Sequence, residues 1–428
     1  MKKILFPILL LLVSCTLGFE ATFAQESKTE IDSKQIKPFS FENYNAFKKS
    51  AGPLLKDMST KKIIGLGEGT HGTSEFYKVR FWISRYLIEE KGFRYIAFEN
   101  DFSDVWFLND KLAETTDINT LMKNHLMSIW QNEEMKELLN WVKTHNKKNK
   151  QKVVITGLDY PLLKTDVDLL KTLLKRAKDT TLNKSLERLA NAAKMQDEAW
   201  IGMNDKTYKA NMKVVGTESR KAYLIADTLE KQFAGISFPT NLRKDFELAL
   251  TNIKQGFAPF YELAAEGDRD SIMASNVAKI LKDSDDKMIV WAHNAHLGKG
   301  KIYGGAVGGT GGYLLKLFPN NYFVLGTGTS SGSFAGTVDV RPTNNNPMQS
   351  NKLEEPIKNS WEELFKQNPA DNFYFYPGLI NVKNTKKPSR FIGFGIKSGA
   401  STYDTTNLSD LYDAYLFIKN SNASTPLK

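Results

Sequence analysis

Short runs of uniformly apolar residues alternate along this chain with longer stretches in which apolar positions recur every three or four residues. The first run, Ile63-Ile64-Gly65-Leu66, precedes a stretch in which Phe76, Val79, Phe81, Ile83, Leu87 and Ile88 fall near one helical face, with Thr73 or Ser74 placed to cap it. Tyr95-Ile96-Ala97-Phe98 repeats the apolar run, and the spacing fits a strand–helix–strand unit whose strands lie parallel and side by side. The alternation continues with a helix over Glu133–Thr144, a strand at Val153–Thr156, a helix over Ile272–Leu281, and strands at Met288–Trp291 and Tyr322–Leu325. Strands apolar on both faces belong to a parallel sheet covered by helices on each side, so the fold class is α/β, a largely parallel sheet flanked by helices.

Between Pro161 and Gly267 the pattern changes to Lys, Leu, Ala and Glu at helical period, with few β-branched runs. This predicts an all-helical insertion over 161–267, forming a cap or second lobe within an α/β core made of 25–160 and 268–428. The sheet would then be assembled from both sides of the insertion. No internal repeat of fixed period is evident, and the tail beyond Lys419 reads as loose.

Ahead of the core, Lys2 and Lys3 precede an apolar run from Ile4 to Val13, too short for a membrane anchor and of the length of a signal peptide's apolar region. Residues 1–24 therefore predict export, to the periplasm or beyond the cell. Thr22-Phe23-Ala24 suits cleavage before Gln25, whereas Leu12-Val13-Ser14-Cys15 resembles a lipoprotein box that would leave a lipid anchor on Cys15; continued apolar character at Leu17 and Phe19 favours the first. No transmembrane span follows the signal.

Composition narrows the function classes. Over 428 residues, 41% hydrophobic and 11% aromatic content sets the chain apart from disordered ones. The net charge of +10 comes from 58 Lys+Arg against 48 Asp+Glu dispersed along the chain rather than gathered in a stripe, so nucleic acid is not an expected partner. Cys15 is the single cysteine and precedes the core, which removes disulfide scaffolds, cysteine nucleophiles and Cys-based zinc sites.

In open parallel sheets, ligands bind beyond the carboxyl ends of the strands. The residues there are strongly polar: Gly67-Glu68-Gly69-Thr70-His71-Gly72, Glu99-Asn100-Asp101, Gly157-Leu158-Asp159-Tyr160, and His293-Asn294-Ala295-His296. Two of five histidines and several carboxylates thus arrive at one rim from separate parts of the chain, with His296 close by. Arg80, nine residues beyond His71 on the predicted helix, could pair with a rim carboxylate. His125 and His145 follow helical stretches and read as helix-end or surface residues.

Several look-alikes need separating. The first turn matches G-x-G-x-x-G, but Glu68 and His71 place a charge and bulk where a pyrophosphate would meet bare backbone. Gly328-Thr329-Ser330-Ser331-Gly332 fits G-x-S-x-G, yet the following Phe334–Val340 looks extended rather than helical and no histidine follows His296. The run from Gly304 to Gly312 lacks the G-K-[ST] ending of a phosphate loop and reads as a loop near the site. Glu68, His71, Glu99, His293 and His296 would suffice chemically for zinc, but the H-E-x-x-H order is absent, and a strand-to-loop segment need not bring residues three apart together as a helix does.

Taken together, Gly67–Gly72, the following Glu75-Phe76 and Arg80, Gly92-Phe93 leading into Phe98-Glu99, Gly157-Leu158-Asp159, and Trp291–His296 resemble the erythromycin esterase family in order and spacing over about Lys61 to Leu325. The resemblance implies metal-independent, cofactor-free hydrolysis of the lactone ester of macrolides on an α/β core with helical additions. Carried over by motif, it implies His71 as the essential base, with Glu68, Glu99 and His293 catalytic and Arg80, His296 and Asp159 supporting the site. No side-chain nucleophile stands at this rim, so water is the expected attacking group, activated by His71, whose tautomer Glu68 or Glu99 would fix. His293 would position the water or protonate the departing alkoxide. Amides at the start of the helix near Thr73 are the expected oxyanion donors. Two other classes remain in view, a metal-dependent hydrolase using the same cluster and an envelope binding or stress protein that keeps the cleft.

Overall fold

The computed structural model of the protein describes residues 31–260, 268–282 and 285–427. The predicted export segment, with Cys15 and the cleavage site after Ala24, lies outside the described residues. The strands are β1 (Lys37–Pro38), β2 (Ile63–Glu68), β3 (Phe93–Asp101), β4 (Val154–Asp159), β5 (Lys287–His293), β6 (Tyr322–Gly336), β7 (Gln349–Lys352), β8 (Asn372–Phe375), β9 (Lys387–Arg390), β10 (Tyr403–Thr406) and β11 (Ala414–Ser421). Nine of them form one sheet in the order β1-β8-β11-β6-β2-β5-β3-β4, with β7 on the far half of β6. The six strands from β11 to β4 are mutually parallel, and the antiparallel pairs sit at the margins.

Each central strand is apolar on both faces because both faces are covered. Ile63, Ala97, Met288 and Val290 point into one core, and Ile64, Ile96, Ile289 and Trp291 into the other. The sheet differs from expectation in its order. β2 and β3 are not neighbours, since β5 lies between them and pairs in parallel with both. From Met288 on, β5 is buried, so it completes its backbone hydrogen bonds only inside the sheet.

The helices that matter for the site are α1 (Ser74–Lys91), α2 (Phe102–Leu112), α3 (Glu133–Lys148), α4 (Lys164–Ala177), α5 (Asn183–Gly202), α6 (Met212–Ala234), α7 (Thr240–Phe257), α8 (Arg269–Ile280), α9 (Asn294–Leu297) and α10 (Thr310–Leu317). Helices α4 to α7 pack on one another around leucines and a stacked Phe233–Phe246 pair whose ring centroids lie 4.1 Å apart. Among the described residues, no helix is long and apolar enough to cross a membrane.

The C-terminal tail is tied down rather than loose. Beyond β11, Asn422 O accepts the Ser74 amide, Glu75 accepts the Asn422 amide, and the Ser424 amide donates to Gly72 O. Thr73 does occupy the N-cap position of α1, but its hydroxyl makes no capping bond, and the tail carbonyl takes that role. One of the expected oxyanion donors at this helix start, the Ser74 amide, is therefore bound to the tail. Gly328–Gly332 lies inside β6, where Ser330 donates to Lys419 O, so no nucleophile elbow forms. The glycine run at 304–312 makes a short turn and the start of α10, where the amide and hydroxyl of Thr310 bind Asp270.

Candidate active site

The carboxyl ends of β2, β3, β4 and β5 deliver Glu68, Glu99, Asp159 and His293 to one edge of the sheet. The turn after β2 adds His71. Its glycines answer to close packing: a Cβ on Gly67 would sit 2.2 Å from Asn294 Oδ1, and Gly72 has φ +71° with Ala335 O where its Cβ would lie. The backbone thus hugs α9 and β6, and His71 is held by its own amide donating to Ile392 O at 2.9 Å.

His71 Nδ1 lies 2.9 Å from Glu68 Oε2. A carboxylate only accepts, so the imidazole proton sits on Nδ1 and Nε2 is left as the basic nitrogen of a ring that lines the cavity. Glu68 is fully buried, and its counter-charge is the equally buried Arg80, whose Nη2 stands 3.1 Å from the same Oε2. The guanidinium is boxed by Trp291, Tyr77 and Trp130 at 4.7, 4.8 and 5.5 Å from their ring centroids, while Nε donates to Phe76 O. Arg80, Glu68 and His71 form a relay from the core to the cavity, with the carboxylate partner expected for Arg80.

His293 faces His71 with ring centroids 4.8 Å apart. Its Nδ1 accepts the Ala295 amide, which places the proton on Nε2, and that nitrogen is buried near the Ile392 backbone. Burial and the neighbouring His71 push its pKa well below the usual imidazole value, so the ring is neutral and presents an N–H.

Glu99 belongs to a second network and does not touch His71 Nδ1. One oxygen accepts the His293 amide at 2.9 Å, and the other meets Arg269 Nη2 at 3.0 Å and His296 Nε2 at 3.2 Å. Burial works against its charge, but His296 and Arg269 outweigh it and hold the carboxyl well below its usual range. For His296, burial favours the neutral ring, yet the charge of Glu99 and the hydrogen bonds to Asp270 and Glu99 raise it to about 9. Its Nδ1 is 2.7 Å from Asp270 Oδ1. Asp159 is bound by Nε and Nη2 of Arg269 in a bidentate pair. The network holds His296 and Arg269 as cations at neutral pH beside a neutral His293.

These groups form the floor of a cavity of about 630 Å³, within the roughly 300–1,000 Å³ usual for ligand pockets. Its walls are largely apolar. Trp200 of α5, Met203 just past its end, Met212 of α6, Ile129, Phe391 and Phe394 are among the side chains that line it. His71, Glu99, Asp159, His293 and His296 all line it, with Glu68 and Arg80 buried behind. His125 ends a helix beside Asp104, and His145 lies in the last turn of α3, both away from this cavity.

Arg269 was missed because it does not follow a strand. It opens α8, in Asp268-Arg269-Asp270, three residues before the helix was expected to begin. The only signal in the sequence is an arginine between two acids just past the helical stretch. Among the described residues, no three His, Cys, Asp or Glu side chains are arranged to hold a metal ion.

A mostly parallel sheet whose carboxyl edge carries a buried carboxylate–imidazole pair under an apolar-walled cavity defines an α/β protein equipped for proton transfer to a bound molecule. The family model for erythromycin esterase matches residues 88–421, and the chain belongs to that family, which is one of hydrolases. Erythromycin esterase type II of Escherichia coli is 25% identical over 411 residues, covering 90% of this chain and 94% of that one. The putative hydrolase YbfO of Bacillus subtilis (strain 168) is 25% identical over 371 residues, 81% of this chain and 80% of its own length. A solved erythromycin esterase mutant in an open conformation shares the fold with a TM-score of 0.64 at 18% identity, covering 89% of this chain and 95% of that one.

Proposed function

We propose that this protein is an exported esterase that hydrolyses the lactone ester of macrolide antibiotics such as erythromycin, with His71 activating water and with neither a covalent intermediate nor a metal ion. Family membership supports hydrolysis, and the E. coli relative is named for this substrate. The observation that carries the mechanism is the Glu68–His71 contact, which leaves Nε2 free to take a proton in the cavity. Export rests on the Lys2-Lys3 and Ile4–Val13 pattern, with the mature protein free after Ala24 or anchored through Cys15.

Water loses a proton to His71 Nε2 as its oxygen bonds to the ester carbon. The imidazolium is stabilised by Glu68, whose charge Arg80 holds in place. The carbonyl oxygen becomes an oxyanion, and His293 Nε2–H donates to it in place of the Ile392 backbone. Collapse breaks the bond to the alkoxide, which takes the proton back from His71 and leaves a carboxylic acid and an alcohol. Glu99, anchored by Arg269 and His296, positions His293 through its amide. The metal-free reading is supported by the occupancy of the donors: both oxygens of Glu99 and both nitrogens of His296 already have partners.

The test is incubation of the purified protein with a panel of macrolides of different ring size, with and without chelator, read as the mass gain of one water. Gain that survives chelator is expected. Gain only with added metal would point to a metal-dependent hydrolase, and no gain on any ester to a binding protein.

A further inference from the structure

Among the described residues, exposed large apolar side chains gather beside the cavity. Of the twelve exposed large apolar side chains among the described residues, seven lie in just two segments, 201–214 and 338–340. Ile201, Met203, Tyr208, Met212 and Val214 are between 42% and 49% exposed, and Val338 and Val340 reach 63% and 60%. The two segments form one lip. Asn204 binds the Val340 and Arg341 amides and donates to Arg341 O, Trp200 Nε1 donates to Pro342 O, and the Arg341 guanidinium lies 4.5 Å from the Trp200 ring centroid. Met203, Met212 and Val340 each also line the cavity, so the lip surrounds its opening.

Basic residues are interleaved with this apolar rim. Lys206, Lys209 and Lys213 are exposed, and none of their ammonium groups has an ion pair or hydrogen bond among the described residues. The two acids of the lip are engaged, Asp205 by the Thr207 amide and hydroxyl and Asp339 by the Asn346 side-chain amide. On the neighbouring helices Lys164, Lys221, Lys231 and Lys254 have acidic partners, whereas Lys171, Lys175 and Lys184 do not. Unpaired lysines around clustered apolar side chains are the composition that seats a protein on an anionic bilayer, the charges drawing it in and the apolar groups entering the headgroup boundary.

We infer that the lip formed by 201–214 and 338–341 docks on the surface of an anionic phospholipid membrane, so that the cavity opens toward the bilayer and receives apolar molecules partitioned there. This surface stands whatever reaction the cavity performs. Its charge complements the headgroups, and Met203, Met212 and Val340 carry it into the wall of the cavity that His71 also lines.

The experiment is vesicle co-sedimentation of the full-length chain with phosphatidylcholine vesicles, with and without phosphatidylglycerol, for the wild type and a Lys206→Gln, Lys209→Gln, Lys213→Gln variant. Each lysine near an anionic surface raises partitioning about fivefold, so the triple variant should bind phosphatidylglycerol vesicles about 100-fold more weakly. Any contribution of the N-terminal apolar run is common to both chains. To read the lip separately, a polarity-sensitive dye on Val214→Cys in a Cys15→Ser background should shift to the blue on adding phosphatidylglycerol vesicles, and less so at high salt. Equal binding of the two chains with no dye shift, as a lip that faces a protein partner would give, overturns the proposal.

Discussion

Replacing His296 by asparagine should change how stability depends on pH, not only its value. In the unfolded chain this imidazole titrates near 6.5, and in the folded protein it is raised to about 9, burial being outweighed by Glu99 and Asp270. A folded-state pKa above the unfolded one means that the proton stabilises the fold. That contribution is complete below pH 6.5 and is lost as pH rises through about 9. The size of the rise corresponds to about 3 kcal/mol. Glu99 and Asp270 are held below their usual ranges and stay ionised throughout this window, so they add no slope there. Urea unfolding of wild type and His296→Asn, followed by tryptophan fluorescence from about pH 6 to about pH 10, reads the effect as a difference between the two proteins. The gap should narrow by about 3 kcal/mol toward alkaline pH. A gap that stays constant over that range would mean that His296 is not a buried cation, and its ion pairs with Glu99 and Asp270 would go with it.

Three further outcomes follow from the same geometry. Glu68→Gln keeps the shape but removes the charge behind His71, so kcat for ester hydrolysis should fall roughly 10²–10⁴-fold with little change in KM, measured by steady-state kinetics. Arg80→Met leaves Glu68 buried without a counter-charge and should cost about 3–5 kcal/mol in urea or thermal unfolding, whereas an unchanged midpoint would show that Glu68 does not depend on the guanidinium for its burial. Trp200→Ala removes an apolar wall far from the reacting atoms, so KM for a macrolide should rise about tenfold while turnover of a small ester stays near wild type.

How much of this was legible in the sequence follows from the range of each interaction. The strands ending in Glu68, Glu99, Asp159 and His293 were visible because burial on both faces writes itself as a local apolar run, and strand ends in a parallel sheet share one edge. The place of β5 between β2 and β3 was not, because strand order is set by pairing across more than a hundred residues of intervening helix, and nothing local in Met288–Trp291 names its partners. The tail misled for the same reason. Polar residues 422–425 look unanchored until the start of α1 is seen to need their backbone. Arg269 was hidden because an arginine flanked by Asp268 and Asp270 reads as a solvated helix start, and its real partners, Asp159 and Glu99, lie more than a hundred residues away. Whether Glu68 or Glu99 orients His71 could only be settled by distance, and the distance favours Glu68.

The central claim is that His71 takes the proton of the attacking water. It is tested most directly by the rate of water addition to a macrolide lactone, measured by mass, for wild type and His71→Ala at matched concentration, with circular dichroism establishing that both are folded. The account predicts sustained turnover by the wild type and loss of roughly 10²–10⁴-fold or more in the variant. Near-normal turnover by folded His71→Ala would contradict it.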